Sequence, residues 1–159
     1  MGLFSFLKKA GSNILKSKEK KAAEAAAEEE AIDRQRLVAL RGVVDALGIE
    51  VLDLDLEIDD DKVTVYGQTE SQENKEKVIL ALGNVAGIAT VDDRISVVTP
   101  APEANFYEVK SGDSLSKIAK TYYGDPMKYQ VIFEANKPML KDPNLIYPGQ
   151  VLRIPVLEN

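Results

Sequence analysis

The final third of the chain, from Tyr107 to Pro155, carries turn signals so closely spaced that few folds accommodate it. Apolar alternation at Tyr107 and Val109 predicts a short strand. Asp113 or Ser114 is placed to cap a helix whose inner stripe is Leu115, Ile118, Ala119 and Tyr122, and Gly124 stops that helix. Asp125-Pro126 supplies an N-cap followed by proline at the first helical position. A second helix carrying Met127, Val131, Ile132 and Phe133 therefore follows at once and ends near Asn136. Pro148-Gly149 fits the centre of a type II turn, which delivers Val151, Leu152 and Ile154 into a closing strand. The order is strand, helix, helix, strand.

A second unit precedes it. Leu37, Leu40, Val43, Val44 and Leu47 recur at helical spacing, with Gly48 as the stop. The period then changes to two, so that Leu52, Leu54, Leu56 and Ile58 share a buried face while Asp53, Asp55 and Glu57 face solvent. Asp59-Asp60-Asp61 turns the chain back into a partner strand from Lys62 to Gly67. Ser71 can cap a helix with the inner stripe Val78, Ile79 and Leu82, ended by Gly83, and Val91 with Ile95 to Val98 supplies a last strand. The predicted class is α+β: a helical arm over residues 1–31, an α-β-β-α-β domain over 32–99, a linker over 100–105 and the βααβ domain over 106–156. Two prolines make the linker, Thr99-Pro100-Ala101-Pro102-Glu103, semi-rigid.

Composition narrows the chemistry. The 159 residues include no cysteine and no histidine, which removes disulfides, thiolate metal sites and every triad that needs an imidazole base. The formal charge of −6 is unevenly spread: residues 1–21 carry six lysines and one glutamate, whereas residues 32–100 carry 14 acidic and 7 basic groups. So acidic a chain is a poor nucleic-acid binder. Asp53-x-Asp55-x-Glu57 begins like a calcium loop, but Ile58 stands where the sharp-turn glycine belongs and Thr64 where a bidentate glutamate belongs. No carboxylate pair has the setting of a glycosidase acid and base, so a non-enzymatic protein is expected. At the N-terminus Lys8 and Lys9 follow the apolar run Leu3 to Leu7 instead of preceding it, which argues against an export signal and for a cytoplasmic location. The Ala/Glu run from Ala22 to Ala31 is expected to be a solvated helix.

The Gly112-Asp113-Ser114-Leu115 opening and the Pro148-Gly149-Gln150-Val151-Leu152-Arg153-Ile154-Pro155 ending resemble the LysM domain without a gap. That resemblance implies a binding module, most often for N-acetylglucosamine polymers such as peptidoglycan. Its groove would have Gly112, Asp113, Ser114 and Leu115 on one side and Asn144, Leu145, Ile146 and Tyr147 on the other. Core and turn duties for Leu115, Ile146 and Gly112 stand beside that role. The Gly67-x-x-x-Ser71 helix entry and Gly87-Ile88-Ala89-Thr90-Val91-Asp92-Asp93 resemble the BON domain.

Leu3, Phe4, Leu7, Ala10, Ile14 and Leu15 mark one helical face with lysines opposite, which suits either an anionic membrane surface or docking on the BON-like unit. Met1-Gly2-Leu3-Phe4-x-Phe6-x-Lys8-x-Ala10-Gly11, followed by both modules, is similar to the cytoplasmic potassium-binding proteins of bacteria. A potassium ion is well served by several neutral carbonyl oxygens that replace its hydration shell. Gly83-Asn84-Val85-Ala86-Gly87 offers orphan helix-end carbonyls and two glycines. Taken alone, Gly83 and Gly87 read more simply as plain helix-stop and turn residues. The resemblance implies K+ held by main-chain oxygens of Leu7, Ala10 and Ser12 together with Gly83, Val85 and Gly87, in a monomer whose arm is ordered by the ion. The runner-up is a peptidoglycan-binding or envelope-associated protein that uses the LysM groove.

Overall fold

The computed structural model describes residues 2–5 and 22–157. Its elements are β1 (Gly2–Ser5), α1 (Ala22–Ala46), β2 (Leu52–Asp59), β3 (Lys62–Ser71), α2 (Gln72–Gly83), β4 (Thr90–Thr99), β5 (Asn105–Glu108), α3 (Leu115–Tyr123), α4 (Tyr129–Ala135) and β6 (Val151–Ile154), with a 3-10 turn at Pro126–Lys128. The architecture is α+β.

The first sheet runs β1-β4-β3-β2. Strands β3 and β4 are parallel, joined by α2 as the crossover, while β2 and β1 add antiparallel at the two edges. Val63, Val65, Val91 and Ile95 point from the sheet into a core closed by Leu40 and Val44 of α1 and by Val78, Ile79 and Leu82 of α2. Helix α2 starts as its sequence demands, with Ser71 Oγ accepting from the Asn74 N–H at 3.1 Å. Helix α1 runs through the Ala/Glu stretch, as expected. It stops before Gly48, whose φ of 70° lies in the left-handed region.

Two expectations fail in this domain. Gly2–Ser5 forms a strand and not the start of a helix, with Gly2 opposite Asp93 and Ser5 opposite Thr90. Leu3 and Phe4 consequently point to opposite faces: Leu3 is exposed, whereas the Phe4 ring packs 5.4 Å from that of Phe106. Pairing onto the free edge of β4 outweighs the weak local preference of four residues for a helix. Leu7, Ala10, Ile14 and Leu15 lie outside the described residues. Leu52 does not share the buried face of Leu54, Leu56 and Ile58, because the register slips between Leu52 and Asp55, where Asp53 takes φ 55°. One residue of slip sends Leu52 to the other side, 51% exposed.

The second domain pairs β5 with β6 antiparallel, and α3 and α4 pack over that two-stranded sheet through Leu115, Ile118, Ala119, Ile132, Leu152 and Ile154. Ser114, not Asp113, is the α3 cap, accepting from the Lys117 N–H at 3.2 Å, and Gly124 ends the helix at φ 76°. Gly149 takes φ 89°, and the Gln150 N–H donates to the Tyr147 carbonyl at 3.2 Å, closing the predicted Pro148-Gly149 turn. Met127 and Tyr122 are exposed, contrary to expectation. Asp125 and Pro126 open a 3-10 turn in which Met127 precedes the true helix, and Tyr122 rests edge-on against Tyr107 at 6.0 Å.

Candidate ion site and domain junction

Helix α2 unravels over Gly83-Asn84-Val85-Ala86-Gly87, and the main chain of this loop is specified at both ends. On entry, the Asn84 N–H donates to Leu80 O at 3.0 Å and the Val85 N–H to Leu82 O at 3.2 Å. On exit, the Ala89 and Thr90 N–H groups share Asp61 O at 2.8 and 3.2 Å. The Val85 carbonyl accepts from the Ile88 N–H at 3.2 Å. Among the described residues, neither the Gly83 nor the Gly87 carbonyl accepts a hydrogen bond. Gly83 is buried and Gly87 half-buried, so these are oxygens for which a desolvated cation is a chemically fitting partner.

The two glycines differ. Gly87 has φ +91°, a conformation that L side chains rarely adopt, whereas Gly83 is simply the last residue of α2. Arg36 of α1 stands beside the loop. Its Nη1 donates to Asp60 O at 2.7 Å and lies 3.6 Å from Asp33, and its Nη2 is 4.0 Å from where a Cβ on Gly87 would sit. Strand β1 ends at this same place, since Ser5 is opposite Thr90, three residues beyond Gly87. Leu7, Ala10 and Ser12 lie outside the described residues. Asp92 and Asp93 fall on opposite faces of β4: Asp92 is held by Arg94 at 3.0 Å on the open face, whereas Asp93 is buried against Lys75 at 2.9 Å.

The same loop touches the second domain. The Asn84 side-chain amide donates to Val151 O and accepts from Val151 N–H, both at 2.9 Å. Beside it, Glu76 of α2 meets Arg153 Nε at 2.7 Å, with both side chains over 90% buried, and it also accepts the Ala104 N–H at 2.9 Å. Sequence reasoning missed Asn84, Glu76, Arg153 and Arg36. A weak signal existed for two of them, since Glu76 falls on the inner face of α2 one turn before Ile79, and Arg153 stands between Leu152 and Ile154 in a buried strand. A cleft of about 950 Å³ opens along this junction, lined by residues that include Lys77, Pro102, Gln130 and Glu134. Its lysines are matched locally, Lys77 by Glu73 and Lys137 by Glu134, each at 3.0 Å.

The predicted glycan-groove residues divide by task. Asp113 accepts from the Tyr107 hydroxyl at 2.6 Å and the Lys110 N–H at 2.8 Å, Ser114 caps α3, and Leu115 is core. Ile146 packs against that core, Gly112 takes φ +87°, and Asn144, Leu145 and Tyr147 are exposed. The hydrogen bond to Asp113 is the chief reason the Tyr107 phenol is pushed up to about 12, with burial second. The same bond, then the Lys110 N–H, holds the Asp113 carboxyl below its ordinary range. A raised folded pKa gives stability that is complete below the ordinary tyrosine value of about 10 and is lost as pH climbs towards about 12. A lowered carboxyl pKa gives stability present above about 4 and lost as pH falls through the folded value. Tyr107→Phe is expected to delete the last phenol step of an ultraviolet titration and to flatten the alkaline stability loss between about pH 10 and 12. Persistence of a step near pH 12 in the variant would assign that phenol elsewhere.

Residues 107–155 match the LysM domain family and residues 39–99 the BON domain family. An uncharacterized protein of Deinococcus radiodurans is 59% identical over 49 residues, 31% of this chain and 19% of its own length. The potassium binding protein Kbp of Escherichia coli is 46% identical over 155 residues, covering 98% of this chain and 99% of that protein. Because that alignment runs through both modules and the loop that joins α2 to β4, the chain belongs to the family of Kbp, the two-domain BON and LysM proteins.

Proposed function

We propose that this chain is a non-enzymatic potassium-binding protein of the cytoplasm, acting as a monomeric sensor or buffer, in which main-chain oxygens hold K+ and the ion fastens the N-terminal arm to the BON domain. The observation that carries this reading is the pair of Gly83 and Gly87 carbonyls, which accept no hydrogen bond among the described residues on a loop pinned at both ends. Neutral carbonyls suit a weakly hydrated monovalent cation better than the divalent ions that prefer carboxylates. Strand β1 supports the role given to the arm, since its pairing brings the chain to the mouth of that loop at Ser5. Leu7, Ala10 and Ser12 complete the proposed ligand set with Gly83, Val85 and Gly87. The name of the Escherichia coli relative supports the choice of ion.

Binding that needs arm and domain together should stabilise the fold, by about 2.7 kcal/mol at a hundredfold excess of K+ over Kd. Thermal melts in potassium chloride are expected to lie above those in sodium chloride at equal ionic strength. Coincident melts would sink the proposal. The exposed Leu145 and Tyr147 keep a second reading in view, peptidoglycan binding through the LysM groove. Retention on peptidoglycan sacculi, lost when both are changed to serine, would favour it.

A further inference from the structure

The outer edge of β6 is completed by side chains. Residues Leu152 and Ile154 of β6 face their partners in β5, while the N–H and C=O groups of Val151 and Arg153 turn to the open edge. Two asparagines fill that edge. Asn136 donates to Arg153 O at 2.8 Å and accepts from its N–H at 2.7 Å, and Asn84 does the same for Val151 at 2.9 Å each. A side-chain amide carries one donor and one acceptor side by side, so it matches a strand residue's main chain in the way a neighbouring strand would. Asn136 belongs to the LysM domain, whereas Asn84 comes from the BON domain, 67 residues before Val151.

Asn84 also lies between Gly83 and Val85, two of the proposed ion ligands. The Gly83 carbonyl shares its peptide plane with the Asn84 N–H, which Leu80 O holds, and the Asn84 side chain is held by Val151, so that plane cannot turn freely without breaking one of these bonds. We infer that Asn84 is a positioning residue for the ion site, through which strand β6 of the LysM domain sets the direction of the Gly83 carbonyl. The inference rests on the potassium reading above and adds to it a named link from the second domain to the ligand geometry. Arg153 and Glu76 fasten the same strand to α2, so β6 is a fixed template and not a loose neighbour.

The test uses the full chain. Asn84→Ala removes both bonds, whereas Asn84→Gln keeps the amide on a stem one methylene longer. Each is titrated with potassium and with sodium chloride at constant ionic strength and at a temperature where circular dichroism shows it folded. Asn84→Ala is expected to weaken K+ about tenfold and to narrow the preference of K+ over Na+, since the two hydrogen bonds that fix Asn84, and with it the Gly83 carbonyl, against β6 are gone, and Asn84→Gln to recover most of both. Loss of fold stability alone would not move the K+/Na+ ratio of folded protein. The positioning role is overturned if Asn84→Ala keeps wild-type affinity and ratio, or if glutamine restores nothing. If the wild-type chain itself takes up no K+, the potassium reading has failed, and that result is distinct from either outcome.

Discussion

Glu76→Ala is expected to cost about 3–5 kcal/mol, because it strands the Arg153 guanidinium inside the junction without a counter-charge. Arg153 is 7% exposed and Glu76 3%, so water cannot replace the lost partner cheaply. The same change orphans the Ala104 N–H at the end of the linker and the Gln72 amide, both of which Glu76 accepts from. Removing both charges at once should be far milder, since a buried pair exchanged for apolar groups of similar volume is often close to neutral. Glu76→Leu with Arg153→Met is therefore expected to regain the part of the loss that comes from the stranded guanidinium, but not the part that comes from the Ala104 N–H and the Gln72 amide. Urea unfolding of the three proteins measures this, and it also shows whether the two domains unfold as one unit. A single-variant loss below about 1 kcal/mol would mean that the pair is solvated and the domains are not fastened there.

Much of the fold was legible because its signals are local. Ser71 before α2, Ser114 before α3, Gly124 after it and the Pro148-Gly149 turn each act within four residues, and the Val78, Ile79 and Leu82 stripe needs only a helical period. What stayed hidden depends on distant partners. Strand β1 exists because the β4 edge, nearly ninety residues on, offers hydrogen bonds that Gly2 to Ser5 cannot announce. The Asp53 slip that exposes Leu52 obeys no sequence rule for a strand that alternates so cleanly. Glu76 and Arg153 are 77 residues apart, and only the packing of one domain on the other turns two ordinary charges into a buried pair. The Gly83–Gly87 loop was half legible: its glycines advertised a bend, but Gly83 is helical and only Gly87 has the left-handed backbone. Nothing local distinguished Asn84 from a helix-end residue.

Gly87→Val is expected to remove the potassium response while leaving the protein folded. The reason is conformational: at φ +91° a β-branched residue is strained by about 1–3 kcal/mol, so the loop escapes by turning the peptide that aims the Gly87 carbonyl. Steric conflict is small, since the nearest atom to the new Cβ is Arg36 Nη2 at 4.0 Å. That permits a matched control in Gly48, which has φ +70° and open space around its Cβ, and lies beyond the C-terminal end of α1. Arg36, beside Gly87, is ten residues before Ala46, about 15 Å along the helix. Gly48→Val carries a similar strain far from the loop, so it should lower stability while keeping the response. Asp92→Asn completes the set, because Asp92 sits on the open sheet face with Arg94 and acts on the loop only as a screened charge. Asp93 is unsuitable for that purpose, since neutralising it strands Lys75. Potassium titrations of the three variants, each corrected for its own stability without the ion, should rank Gly87→Val far below the other two. If Asp92→Asn abolished uptake while Gly87→Val retained it, the ion would be held by carboxylate and not by the loop's carbonyls. Equal losses in Gly48→Val and Gly87→Val would instead reduce the effect to general destabilisation and remove Gly87 from the ligand set.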